Sequence, residues 1–490
     1  MQKITNIPGA DRVDVAIVGA GAAGLYCALR LGRERPDLSV EIFEAGPEVG
    51  GRWRSATAGD GAVCELGAAF VSNQHTTTLA LARELGCAIA PVDFASAGYF
   101  LRGRWLQAGE PALPFLMRAE EHRLGASALI ERALAASAPE FSEARAAADG
   151  QGALNDVEGI LRTAVIEGRP LWRWPMRTLL ERTLSNEALA FAERSHGSTA
   201  AFAQINAYDA SLVHLLETRA GQRYGRVHAG FGALARKMAE RAGCAIHMGH
   251  RLCAVGFDGA LMHLSFSTPD GERRLRATSL ILALAPSQVE AVRFETGLVG
   301  PAFAADLASL VTIPACKLFL EFAQRWRPAV LAAPSDAIAA VHTDLPLQQC
   351  YFAPSGVSML AAFADGAGAH YWRALADKGA DAPAPMIEAA MRQLEALYGS
   401  VPAPVSGRFV FWPAAWHAWA PGARSWQARA RLVQPNPNLR IFLCGEAYAR
   451  EQGWSEGALN NAEAMLERGF GLGRPCWAGD HDPFDCQGDA

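Results

Sequence analysis

Two groups of residues in this chain have types and spacings that could do chemistry. The first is Gly19, Gly21 and Gly24, a GxGxxG pattern that opens at the end of an apolar, Val- and Ile-rich run, Val13 to Gly19. Glycines at those three places permit a tight turn, a close approach of backbone to a pyrophosphate, and packing of the next helix on the strand. Ala22 and Ala23 fall in the same turn, where the positive end of the helix that follows, predicted over Leu25 to Gly32, would face phosphates. A second strand, Ser39 to Phe43, ends at Glu44, whose carboxylate can accept both hydroxyls of a ribose. A glycine turn of purely structural use explains the three glycines but not the strand, helix, strand and acid in register, so a bound dinucleotide is expected.

The second group is a single lysine. Lys317 stands inside the apolar strand Pro314 to Leu320. Burying an ammonium there would cost roughly several kcal/mol unless it is hydrogen-bonded or loses its proton. The position is therefore either functional or on an exposed edge strand.

These residues need a substantial scaffold. With 490 residues, the chain exceeds what one hydrophobic core usually serves, and two or three lobes are expected. Half the residues are hydrophobic and 19% are charged, which excludes a disordered chain. The net charge of −5 gives no electrostatic reason to expect nucleic acid or an anionic membrane, so a small-molecule partner fits better. The ten cysteines include no CxxC pair, and several lie in apolar runs, which suits free thiols in a reducing compartment. Met1 to Asp11 lacks a basic region followed by an apolar run, and no stretch approaches a membrane span, so a cytoplasmic protein is expected.

The segment Glu44-Ala45-Gly-Pro-Glu-Val-Gly-Gly51-Arg52 resembles the ExxxxxGGR continuation of FAD enzymes of the glutathione reductase-like superfamily. There Gly51 lets the backbone pass under the dinucleotide, and the Arg52 fork can neutralise a phosphate. FAD is preferred to NAD on that ground. A distant contact is expected from Leu439 to Glu446, an apolar strand running into Gly445 and Glu446, followed by Gly453-Trp-Ser-Glu-Gly-Ala-Leu459 and a helical run from Asn460 to Arg468. Amides around Gly457 to Leu459, with the helix dipole, would favour the anion of reduced flavin. Together with Glu65-Leu-Gly67, these motifs resemble the flavin amine oxidases, which span monoamine, polyamine and L-amino acid oxidases. Within that family the segments ACKLFLEF, QQCYFAP, SMLAAFADGAGAHYW and GWSEGAL are most similar to the L-tryptophan oxidases of bisindole pathways.

The resemblance implies an α/β fold whose Rossmann-like FAD domain is of the glutathione reductase-like type and discontinuous, built from residues 1–75, 222–290 and 435–475. A mixed-sheet substrate domain would come from 76–110 and 291–434, with a helical insertion over 111–221 and a tail over 476–490. Its contacts to FAD would also include Gly67, Ala68, Ala69, Gly453, Trp454, Ser455 and Ala458, with Val255 touching adenine through its backbone from a strand around Arg251 to Val255. Val405 to Leu439 contains no cysteine, so the FAD is expected to be noncovalent. In the helical insertion, Asn186 to about Gly197 reads as a helix, Ala148 to Gly152 as a loop, and a homodimer contact is one use the family makes of such a region. His481 lies among Asp480, Asp482 and Asp485, but a solvated terminus explains that tail better than a metal does, and no metal is expected.

For chemistry, the resemblance implies that Lys317 holds a water at flavin N5. A neutral amine would present its α C–H, hydride would pass to the flavin, and the imine would hydrolyse to a carbonyl compound and ammonia while oxygen gives peroxide. Trp454 would face the flavin, Trp416 is a second candidate wall, and Tyr351 resembles a carboxylate-contacting tyrosine. One departure matters. Amino acid oxidases read ELGxxR, with the arginine gripping the substrate carboxylate, whereas this chain reads Glu65-Leu-Gly-Ala-Ala-Phe70, as monoamine oxidases do. An L-amino acid, aromatic by the resemblance to the tryptophan oxidases, is the leading substrate, with a primary amine lacking the carboxylate close behind because of Phe70 and a C–C desaturation further behind.

Overall fold

A computed structural model describes residues 11–92, 94–106, 115–150, 154–198, 200–328, 330–331, 338–352, 357–376 and 382–477. The readings placed on Gln151 and Gly152, on 353–354 of the QQCYFAP segment and on the His481 tail lie outside them.

The fold is α/β with several mixed sheets. The largest, of eight strands, is seeded by Asp11–Val18, whose Val and Ile side chains are buried on both faces as a parallel strand between helical layers requires. It pairs in parallel with Val40–Phe43 on one side and with the long strand Gly271–Leu282 on the other. Ala245–His247 extends the first edge, and Ile441–Leu443 lies parallel to the end of Gly271–Leu282. The start of that long strand instead carries the antiparallel strands Met262–Thr268 and Arg251–Phe257, with Arg293–Phe294 beyond. The strands at the parallel centre thus come from widely separated segments of the chain, joined because each is too apolar to face water. Helix Ala22–Glu34 begins three residues before the sequence-based start and packs with helix Ser455–Phe470 in one core under this sheet.

A second, seven-stranded sheet runs in the order Pro404–Trp419, Leu310–Phe322, Ser358–Asp365, Gln349–Phe352, Ile338–Thr343, Phe94–Leu101, Arg104–Leu106. Between 126 and 217 the chain is largely helical and has its own core. The helix Asn186–His196 shows how locally its ends are specified. Ser185 Oγ accepts the Ala188 N–H at 3.2 Å, and Gly197 closes the helix with φ 83°, a left-handed value that suits glycine. None of the described cysteines forms a disulfide, and no described helix is long and apolar enough to cross a membrane.

Candidate active site

At the nucleotide end, the three motif glycines serve three different needs. Gly19 has φ 103°, and a Cβ there would come within 2.6 Å of the Ala283 carbonyl oxygen. A Cβ on Gly24 would lie 1.9 Å from the Gly19 oxygen, so that glycine lets helix and strand touch. Gly21 differs: it caps the helix in extended conformation, and a Cβ on it would meet nothing within 4 Å. Space is kept there for something the chain itself does not supply. Glu44 stands at the end of its strand with Oε2 accepting the Ala20 N–H at 2.8 Å and Oε1 the Gly46 N–H at 2.7 Å, which fixes the carboxylate beside the turn. Neither Ala22–Glu34 nor Ser455–Phe470 has a side-chain cap at its start, leaving amide donors open at both N-termini.

One expectation about the far segment needs correction. The last helix starts at Ser455, not Asn460, with Trp454 as its cap. Its uncommitted amides are therefore those of Ser455, Glu456 and Gly457, while Ala458 and Leu459 already donate within the helix. Arg52 is anchored through one nitrogen: its Nη1 donates to the Glu446 carboxylate at 2.7 Å and to the Ala415 carbonyl at 2.9 Å, while its Nε and Nη2 have no acceptor among the described residues. Glu446 is buried and also takes His417 Nδ1 at 2.8 Å, the His417 N–H at 3.0 Å and the Gly453 N–H at 2.8 Å. Burial alone would raise its pKa, but the neighbouring His417 and Arg52 hold the carboxyl well below the usual range. Gly445 precedes it with φ 139° and its N–H bonded to Asn461, while Ser455 receives the Trp53 indole N–H at 2.8 Å. Val255 is buried in its strand, its carbonyl accepting the Glu295 N–H at 2.9 Å, and it does not reach the cavity described next.

Between the seven-stranded sheet, the short strands Val63–Glu65 and Tyr224–Val227, and the helical layer lies a cavity of about 790 Å³. Of the predicted residues it gathers Gly67, Ala68, Ala69, Phe70, Lys317, Tyr351, Trp416, Gly453, Trp454 and Ser455. The glycine turn, Glu44, Ala45, Gly51, Arg52, Gly445, Glu446 and Ala458 lie off it. Lys317 is not on an edge, because its strand is flanked by Pro404–Trp419 and Ser358–Asp365, opposite Val410 and Phe363. Its buried ammonium donates to the Glu65 carbonyl at 2.8 Å and the Gly67 carbonyl at 2.6 Å. Those acceptors are placed by another close approach, since a Cβ on Gly67 would sit 1.8 Å from the Arg52 oxygen. Burial pushes the lysine down to about 8, against the pull of the Glu65 carboxyl, which burial itself moves up to about 7.

This shift has a measurable consequence. The folded value lies below the 10.5 of an unburied lysine, so between about 8 and 10.5 the unfolded chain holds the extra proton. Stability therefore rises with pH across that window, by at most roughly 3 kcal/mol. Urea midpoints at pH 8 and pH 10 should diverge between the wild type and Lys317→Met, with the rise missing in the variant; parallel midpoints would mean that Lys317 is not held in a charge-averse site.

The aromatic wall is braced. Trp454 donates its indole N–H to Glu217 at 3.0 Å, stacks on Tyr224 with centroids 6.3 Å apart, and meets His75 edge-on at 4.8 Å. Trp416 packs on Ile313 and Ala418. Tyr351 donates to Gln349 at 2.6 Å and lies 6.3 Å from the Phe70 ring. Sequence reasoning missed Glu217, Tyr224 and Arg226, all of which line the cavity. The period-two pattern of Tyr224–Val227 would have put Tyr224 and Arg226 on one face.

An open glycine turn at a helix start, together with an apolar, aromatic cavity that holds a buried lysine, suits a redox enzyme that works on a small molecule. The chain belongs to the family described as flavin containing amine oxidoreductase, whose model matches residues 22–464. It is an FAD-dependent amine or amino acid oxidase. FAD suits the residues present: an open space at Gly21, a second glycine, Gly51, whose Cβ would find only Gly21 at 3.3 Å, and two helix starts without side-chain caps. Over 94% of this chain it is 24% identical to Aplysianin-A of Aplysia kurodai and to Achacin of Lissachatina fulica, covering 90% and 93% of those proteins. Putrescine oxidase of Kocuria rosea is 46% identical over a shorter stretch, 15% of each chain.

Proposed function

We propose that the protein oxidises the amine-bearing carbon of an L-amino acid with an apolar, aromatic side chain, giving an imine that hydrolyses to a carbonyl compound and ammonia, with oxygen reduced to hydrogen peroxide. The eight-stranded sheet is assigned as the FAD domain of glutathione reductase-like type, made from 1–75, 222–290 and 435–475, and the seven-stranded sheet as the substrate domain with 111–221 inserted. The observation that carries the reading is Lys317, buried at the cavity wall and tied to Glu65 and Gly67. When bound, FAD supplies the two-electron acceptor. The chain supplies the rest. Phe70, Tyr351, Trp416 and Trp454 enclose an apolar substrate and exclude water, which favours the neutral amine that can react. Lys317 has two of its three ammonium hydrogens committed to carbonyls, which leaves one donor for a water in the cavity.

A second reading has its own support. Phe70 stands where an arginine was expected, and Asp209, Glu217 and Asp365 line the same cavity, which suits a second cationic nitrogen such as that of a diamine. Burial raises the carboxyls of Asp209 and Glu217 above their ordinary values, and both already accept protein donors, Asn206 Nδ2 at 2.7 Å and the Trp454 indole N–H at 3.0 Å, which favours the amino acid. Anaerobic bleaching of the yellow protein with a panel of L-amino acids, their decarboxylated amines and short diamines separates the two. Aromatic amino acids are expected to bleach it fastest; bleaching by amines or diamines alone would overturn the amino acid reading.

A further inference from the structure

The position expected to hold a carboxylate-binding arginine is filled by Phe70, yet the cavity does contain one guanidinium. Among the described residues lining it, Arg226 is the only arginine. It lies on the strand Tyr224–Val227, where burial alternates: Gly225 and Val227 are buried, while Tyr224 and Arg226 are half-exposed. Val227 belongs to the core beneath, and Tyr224 stacks on Trp454, so the Tyr224 and Arg226 face is the cavity face. This strand pairs antiparallel with Val71–Ser72, Tyr224 opposite Ser72 and Gly225 opposite Val71. The pairing ends there, and Arg226 and Phe70 are the next residue along each segment. Both side chains line the cavity just past the end of that pairing.

Arg226 is also uncommitted. Lys317 is bound to two carbonyls and Arg52 to Glu446, but the Arg226 guanidinium makes no hydrogen bond or ion pair among the described residues. The Glu65 carboxyl, whose charge it favours, instead accepts Ser55 Oγ at 2.5 Å and the Phe231 N–H at 2.8 Å. A forked cation in a cavity of mainly apolar walls, free of protein acceptors, suits a planar carboxylate. Phe70 in turn has Tyr351 as its ring neighbour, so the residue that resembles a carboxylate-contacting tyrosine borders the same phenyl.

We infer that Arg226 binds the α-carboxylate of the substrate, taking over from the neighbouring strand the role that position 70 has given up. This rests on the amino acid reading above. In that arrangement Phe70 is a wall for the substrate rather than a sign that it lacks a carboxylate.

The test compares an aromatic L-amino acid with its decarboxylated amine in the wild type and in Arg226→Met, with FAD content measured in both. The expected result is a rise of roughly 100-fold in KM for the amino acid and a fall in its preference over the amine by a similar factor, with FAD content retained. If the wild type oxidises amino acids and Arg226→Met leaves that preference unchanged, the assignment is overturned while the amino acid reading stands. If the wild type oxidises only amines, both fall. Should Arg226→Met fail to retain FAD, the double variant Phe70→Arg with Arg226→Phe moves the guanidinium to the adjoining segment: amino acid preference kept within about tenfold of wild type supports the assignment, and its loss with FAD retained overturns it. Arg226→Lys, which keeps the charge but not the fork, should give an intermediate KM, and a wild-type KM there would also count against the assignment.

Discussion

Replacing Lys317 by Met is expected to slow both the bleaching of the yellow protein by substrate and the return of its colour in oxygen, the slower of the two by roughly 100-fold or more. Met matches the length and apolar stem of Lys, so the cavity wall is kept while the donor is lost. What disappears is an ammonium held by the Glu65 and Gly67 carbonyls with one hydrogen left for the cavity. With its pKa brought down to about 8, this group can give and take a proton near neutral pH, which an exposed lysine cannot do. Removing a buried charge also relieves its desolvation, so a slower enzyme that is no less stable is the anticipated pairing. Stopped-flow traces with and without oxygen measure the two half-reactions separately, and rates within about twofold of wild type in both would remove Lys317 from the mechanism.

The second large effect distinguishes two glycines three residues apart. Gly21→Ala should leave a folded protein that binds FAD at least roughly 100-fold more weakly, because the added methyl enters space that the chain leaves open, at an ordinary backbone conformation. Gly24→Ala should damage the fold itself, since its Cβ would fall 1.9 Å from the Gly19 carbonyl and push helix Ala22–Glu34 off its strand. The ratio of flavin to protein absorbance, read beside circular dichroism and thermal unfolding of the stripped proteins, tells them apart. A Gly21→Ala protein that keeps its full complement of FAD would mean that the open space is not a phosphate cradle.

Much of the nucleotide end was legible in the sequence because its signals are local. The GxGxxG turn, its flanking strands and Glu44 lie within a few dozen residues, and the need for glycine at Gly24 arises within that turn, where a Cβ would meet the Gly19 carbonyl. Boundaries were less legible. The last helix begins at Ser455, because Trp454 and Ser455 are held by Glu217 and Trp53, contacts that local periodicity does not carry. Arg52 was expected on a phosphate; its pairing with Glu446 joins residues 394 positions apart and depends on the strand Ile441–Leu443 ending beside the glycine turn.

By itself the sequence determined the glycine motif, the family and a lysine set in an apolar strand, since glycine, apolar and charged residue types at fixed spacings restrict backbone and burial wherever they occur. Only the tertiary structure decided that Lys317 lies on a doubly flanked strand rather than an edge, that its partners are carbonyls 252 and 250 residues away, and that Arg226 lines the same cavity as Phe70. The reason is physical. Desolvation and cross-strand register come from which segments pack together, and burial of apolar surface, which drives that packing, has no direction along the chain.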